Sequence, residues 1–315
     1  MKSHYLVVAI ILILGACSRG VIKRDNYGTK FYSKQGSKGR GSFDPKKFSV
    51  IRKKLALLRF YNESPYGGDD LAVTATGELR REILRSGEFI IDPEGEKLFG
   101  NSKEVYAGGG VKLVQLARKA KLSGVNFVVF GRIKHARIRQ KVDEIGFVRQ
   151  MKSFTECKIE IRIFDVSSNK EIFTKIYDGY SDDKTYHFYS SKREDTLSYR
   201  QELLRYSTRV AVRKIIPEIL DLSAKLDWMG RVARILGSKI YVNAGRQSGI
   251  NIGDVLKVMT EGKEIYDPET GAMIGLSKGE IKGTLEVIDY FGPDGAVAIL
   301  HSGGSVTEGD FVKLY

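Results

Sequence analysis

"ECKIEIRIFDVSSNKEIFTKIYDGY", residues 156–180, decides the fold of the larger part of the chain. Ile159, Ile161 and Ile163 alternate with charged neighbours, the period-two pattern of a strand with one buried face. Ser168-Asn169 supplies a turn, and "KEIFTKIYDGY" reads as the returning strand of a hairpin. Cys157 lies within the alternating run and is expected to be a small buried side chain, since a reactive thiol would need a nearby cation or helix N-terminus.

Upstream, "KLALLRF" (54–60) reads as a buried strand, and "EFIIDP" (88–93) as a second. Between them, Asp69 or Asp70 is expected to cap a helix over "LAVTATGELRREILRSG". Leu71, Leu79, Ile83 and Leu84 favour its inner face, and Gly87 ends it. A second helix, "VKLVQLARKAKLSG" (111–124), turns Leu113, Leu116, Ala117 and Ala120 inward and stops at Gly124. "VNFVVFGRIKHARIRQKV" (125–142) begins as a buried strand and then alternates. "REDTLSYRQELLRYSTRVAVRKIIPEILDLSAKL" (193–226) predicts one long helix with Leu204, Ala211, Ile215, Ile219 and Leu222 on a stripe and a kink at Pro217.

After Trp228 helix signals vanish and glycine becomes frequent. The short runs "GRVARI", "KIYVNA", "DVLKVM", "GEIKGTLEVIDYF", "GAVAIL" and "DFVKLY" predict a small SH3-like barrel. Gly245, Gly249 and Gly253 fall between two of these runs and read as turns. A phosphate loop would need a following helix and a Gly-Lys-Ser/Thr, and neither is present. "YDPETGAMIG" (266–275) predicts a tight turn with positive φ at Gly271. The expected fold class is therefore α+β: an α/β sandwich over 54–227, then the small barrel over 228–315.

The chain starts "MKSHYLVVAIILILGACSRG". One early lysine, an apolar run over Leu6–Leu14 and the small pair Gly15-Ala16 describe a secretory signal, too short to span a bilayer. With Cys17 following directly, the stretch resembles the lipobox of bacterial lipoproteins. That resemblance implies cleavage between Ala16 and Cys17, acyl (palmitate-type) lipid on Cys17, and, with Ser18 rather than Asp next, the outer membrane facing the periplasm. Cys157 would then be the lone cysteine, without an intrachain disulfide.

The net charge of +14 first suggests nucleic acid. Its distribution removes that class. Residues 18–54 carry 12 Lys/Arg against Asp25 and Asp44, ten of the positive charges, and Lys2 carries another; residues 55–315 hold only +3. Residues 17–53 thus read as a basic flexible tether with a reach of roughly 30 Å, suited to anionic headgroups beside an anchor.

The α/β part resembles the domain shared by the curli secretion lipoprotein family (CsgG), the N-terminal domain of TolB and the middle domain of the flagellar assembly protein FlgT. Phe60 and Asn62, Ser86-Gly87-Glu88-Phe89, Gly131-Arg132-Ile133 and Asp165 through Ile172 carry the likeness. The barrel part resembles the C-terminal domain of FlgT through Trp228–Val232, Tyr241-Val242-Asn243 with Gly245, Gly249–Asp254, Ile265–Gly275, and Gly309-Asp310 with Val312. Curli channels build their pore from inserted hairpins with an apolar lipid face. The corresponding insertions, 134–155 and 179–201, are dense in charge and read instead as exposed loops or an extended soluble hairpin. Tyr180, Tyr186, Phe188, Tyr189 and Tyr199 give the second a partner-binding character.

No catalytic constellation, cofactor motif or metal site is expected. His135, His187 and His301 are isolated, and no Cys-x-x-Cys occurs. Asp69-Asp70 and Asp182-Asp183 look like turn pairs, and "AGGGVK" (Ala107–Lys112) like a hinge. The function these features predict is a non-enzymatic, outer-membrane-anchored periplasmic scaffold or assembly factor, with the flagellar basal body as its machine. It would have envelope protein partners, a homo-oligomeric ring among its arrangements, and no nucleic acid or small-molecule substrate. A curli-type secretion channel is the alternative reading, and an envelope polysaccharide-binding module the second.

Overall fold

The computed structural model describes residues 51–145, 148–182 and 196–315. Ala16, Cys17 and the tether up to residue 50 lie outside these, as do Asp183, Tyr186, His187, Phe188 and Tyr189. The fold is mixed α+β. A six-stranded sheet comes first, built from β1 (Lys53–Leu57), β2 (Tyr61–Asn62), β3 (Phe89–Ile91), β4 (Phe127–Ile145), β5 (Val148–Asp165) and β6 (Lys170–Asp182). Its order is β3-β1-β4-β5-β6, with β2 beside β4; β1 runs parallel to β3 and β4, while β4, β5 and β6 are antiparallel.

Strand alternation assigns each residue to one of two cores. Leu55, Leu57, Phe127, Val129, Ile159, Ile161 and Ile163 point to the side covered by α1 (Gly68–Ser86), which contributes Leu71, Ala75, Leu79 and Ile83 at intervals of four. Ala56, Leu58, Val128, Phe130 and Phe164 point to the other side. There they meet Phe99 of α2 (Gly95–Phe99) and Leu116, Ala117 and Ala120 of α3 (Ser102–Ser123). The turn between β5 and β6 falls where the sequence places it, with Asn169 at φ 59.

Several local expectations are corrected. Gly67, not Asp69 or Asp70, is the N-cap of α1; the two aspartates lie in its first turn and pair with Arg59 and Arg205. Leu84 is exposed. The helix expected at 111 starts at Ser102, capped by the Asn101 side chain on the Glu104 amide, and Gly109 (φ 52, ψ −141) breaks it into two segments. The single long C-terminal helix is two, α4 (Leu197–Arg213) and α5 (Ile216–Lys225), because Pro217 starts a helix well and continues one badly. Of the two readings of insertion 134–155, exposed loop or extended hairpin, the second is the one seen: β4 and β5 stay paired out to Ile145↔Val148.

The second lobe follows. Strands β7 (Gly230–Leu236), β8 (Lys239–Val242), β9 (Val255–Met259), β12 (Ile281–Phe291), β13 (Gly295–Gly303) and β14 (Phe311–Leu314) close a barrel in the order β12-β13-β8-β7-β14-β9. Each matches one run singled out in the sequence. Val232, Val242, Leu256, Val258, Leu285, Val287, Ala296 and Val312 fill its interior. Gly249 and Gly253 take φ 85 and 90 in turns, whereas a Cβ on Gly245 would come within 2.5 Å of the Gly295 carbonyl oxygen. Outside the barrel, β10 (Glu264–Tyr266) and β11 (Met273–Leu276) form a two-stranded arm joined by a turn with Gly271 at φ 66.

Cys157 is fully buried under α4, and burial pushes its thiol up to about 11, opposed only by the Thr208 hydroxyl. Alkylating reagents are therefore expected to leave it unmodified in the folded protein and to label it at once in urea, read by mass spectrometry.

Candidate functional site

Sheet and barrel lie within one compact unit, and a small set of polar contacts fixes their junction. Asn126 follows the C-cap of α3 and is buried. Its Oδ1 accepts from the Lys54 amide at 2.9 Å, and its Nδ2 donates to the Met229 carbonyl at 2.7 Å, just before β7. Lys54 Nζ reaches the Asn243 carbonyl at 3.2 Å, and the Arg52 amide donates to the Ser248 carbonyl at 3.0 Å. Ile51 packs against the barrel core. Lys121 of α3 pairs with Glu261, and Lys170 at the start of β6 donates to the Ile274 carbonyl on the arm.

These contacts leave a cleft of about 800 Å³ between the β5–β6 turn, the barrel wall and the arm. The arm leaves the barrel through a narrow crossing. A Cβ on Gly262 would collide with the Ser277 carbonyl oxygen, and one on Gly279 with that of Thr260, so the two strands lie against each other there. Ile265, Ile274, Ile281 and Leu314 face the cleft while 46%, 53%, 64% and 41% exposed. Four half-bare aliphatic side chains thus share one concavity. Lys170, Lys257, Lys278 and Lys313 are its cations, Asp227 and Glu261 its acids.

A second concavity, about 540 Å³, lies on the α3 side of the sheet. Strand alternation brings Arg132, Glu160 and Arg162 to that side, where both guanidiniums lie against the Tyr106 ring, 4.5 and 4.7 Å from its centroid. Glu160 is nearly buried; it accepts from Arg132 at 3.0 Å, from Arg162 at 2.7 Å and from the Tyr106 hydroxyl at 3.2 Å. Burial pushes its carboxyl up, but Arg162 and Arg132 together outweigh burial and hold it below the usual carboxylate range. Burial, reinforced by the Glu160 charge, pushes the Tyr106 hydroxyl upward. A carboxylate so held is a poor proton acceptor at neutral pH, and the network acts as a strut binding α3 to the sheet.

The residues examined from sequence scatter. His135 and His301 sit on different lobes, His301 being 3.7 Å from Glu286. Among the described residues no three His, Cys, Asp or Glu gather as metal ligands, and no helix is long and apolar enough to cross a membrane. Tyr180 is exposed on β6. The cleft itself was missed: its walls come from positions a hundred residues apart, and Ile265 and Ile274, which line it, lie just before and within the "YDPETGAMIG" turn.

No protein-family model matches the chain, and no curated protein matches it significantly. Among solved structures, a hypothetical protein from Chlamydia trachomatis is 16% identical, the match covering 53% of this chain and 95% of that one at TM-score 0.33. A lipoprotein from Neisseria meningitidis is 12% identical over 55% of this chain and 99% of its own, TM-score 0.28. The C-terminal domain of LpoB from Salmonella enterica is 14% identical over 41% and 83%, TM-score 0.27. At these TM-scores the likenesses carry no argument about activity or partners.

Proposed function

We propose that this chain is a bacterial envelope lipoprotein, anchored to the outer membrane through Cys17 and facing the periplasm, that works without catalysis as a scaffold or assembly factor. The observation that carries the reading is the preformed cleft between sheet and barrel, with four half-exposed aliphatic side chains in one concavity. The lipobox-like Leu14-Gly15-Ala16-Cys17 supplies the address, and the resemblance to flagellar assembly proteins makes the basal body the first machine to test. Labelled palmitate should enter the wild-type chain and not Cys17→Ala. Crosslinking in native membranes should then recover envelope proteins, flagellar components among them. An unlabelled wild-type chain would overturn the anchor, and crosslinks to no envelope protein would overturn the scaffold.

A further inference from the structure

We propose that the cleft is the docking site for an extended, acidic, apolar-studded segment of a partner protein, an inference that rests on the scaffold reading and names the partner's chemistry.

Charge gives the sign. Both acids of the cleft are already engaged, Asp227 by Lys313 at 3.0 Å and Glu261 by Lys121 of α3. On the cationic side, among the described residues Lys170 reaches only a backbone carbonyl, and Lys257 lies 4.2 Å from the centroid of the Tyr315 ring. With Lys278 these make a surplus of positive charge facing the cavity, which a segment bearing Asp or Glu neutralises. The exposed isoleucines supply the rest, since acidic residues alone would leave them wet.

Shape and backbone give the form. Among the described residues β10 and β11 pair only with each other; the Ile274 carbonyl on the outer side of β11 already accepts from Lys170, while β10 keeps an unpaired edge onto which an extended chain can add main-chain hydrogen bonds. The Asn126 contacts and the Gly262/Gly279 crossing hold the walls in place before any partner arrives. A lipid surface, the other anionic and apolar candidate, is flat and does not fill a concavity of about 800 Å³.

The test uses the full-length protein in detergent and a library of random peptides roughly 12 residues long, long enough to span the interface of a single segment. The retained peptides should be enriched in Asp and Glu interspersed with Ile, Leu, Val or Phe. Lys170→Glu/Lys278→Glu, checked for unchanged circular dichroism, should retain them about tenfold less. No enrichment, enrichment of basic peptides, or equal retention by the variant would each overturn the proposal. So would lysine-dependent binding to phosphatidylglycerol vesicles without peptide enrichment, which would make the cleft a lipid contact. None of these outcomes alters palmitate labelling at Cys17 or the crosslinks to envelope proteins, so the scaffold reading stands or falls separately.

Discussion

Asn126→Ala is expected to cost about 2–6 kcal/mol, because it strands two main-chain groups at once. The Lys54 amide loses its acceptor and the Met229 carbonyl its donor, in a place where Asn126 itself is 4% exposed. Each orphaned group costs about 1–3 kcal/mol when water cannot reach it. The two groups belong to different lobes, so the deficit falls on their junction. Calorimetry should show one melting transition in the wild-type chain and two in the variant, the barrel and the sheet unfolding separately. Persistence of a single transition at an unchanged midpoint would show that the remaining contacts of Lys54, Lys121 and Arg52 suffice without Asn126.

Gly179→Ala should be worse tolerated than most core truncations. Gly179 pairs with Cys157 across β5 and β6, beneath the Ser207–Ala211 turn of α4. A Cβ there would run into the Ser207 carbonyl oxygen and lie 2.7 Å from the Ala211 amide nitrogen. Both obstacles are backbone, so no rotamer change relieves them; either the helix lifts or the strand bends. Cys157, Ser207, Thr208 and Ala211 form a seam of small side chains that lets α4 lie this close, and all are buried. Overpacking typically costs about 1–3 kcal/mol and occasionally more, and a clash with two backbone atoms falls at the upper end. The midpoint of urea unfolding should fall accordingly, and Cys157 should become open to alkylation well below the wild-type transition.

Much of the architecture was legible because it rests on local periodicity. The six barrel strands were each visible as alternating runs bounded by glycine or aspartate, and the β5–β6 hairpin as an isoleucine ladder ending in Ser168-Asn169. Periodicity failed where a residue's role depends on a distant partner. Arg132, Glu160 and Arg162 occupy strand positions that look solvated, yet they contact Tyr106 because α3 covers that side. Leu84 fitted an apolar stripe and faces solvent because the α1 surface that meets the sheet is set by Leu71, Ala75, Leu79 and Ile83. Asn126 gives no local sign of its task, since its second partner lies 103 residues away. The same holds for the candidate site: isoleucines of the arm meet Lys170 of the sheet only once both lobes are built.

The lead-in at Ile51 and Arg52 carries a mechanical consequence. Ile51 packs on the barrel core and the Arg52 amide bonds the Ser248 carbonyl before the chain enters β1. Tension entering the described chain at residue 51 therefore reaches the barrel first, and the barrel also forms one wall of the cleft. A load between the N-terminal side and a docked segment can pass through the barrel alone. The sheet's parallel ladder on β1 then acts as a second line of resistance, loaded in shear only after that first contact has given way.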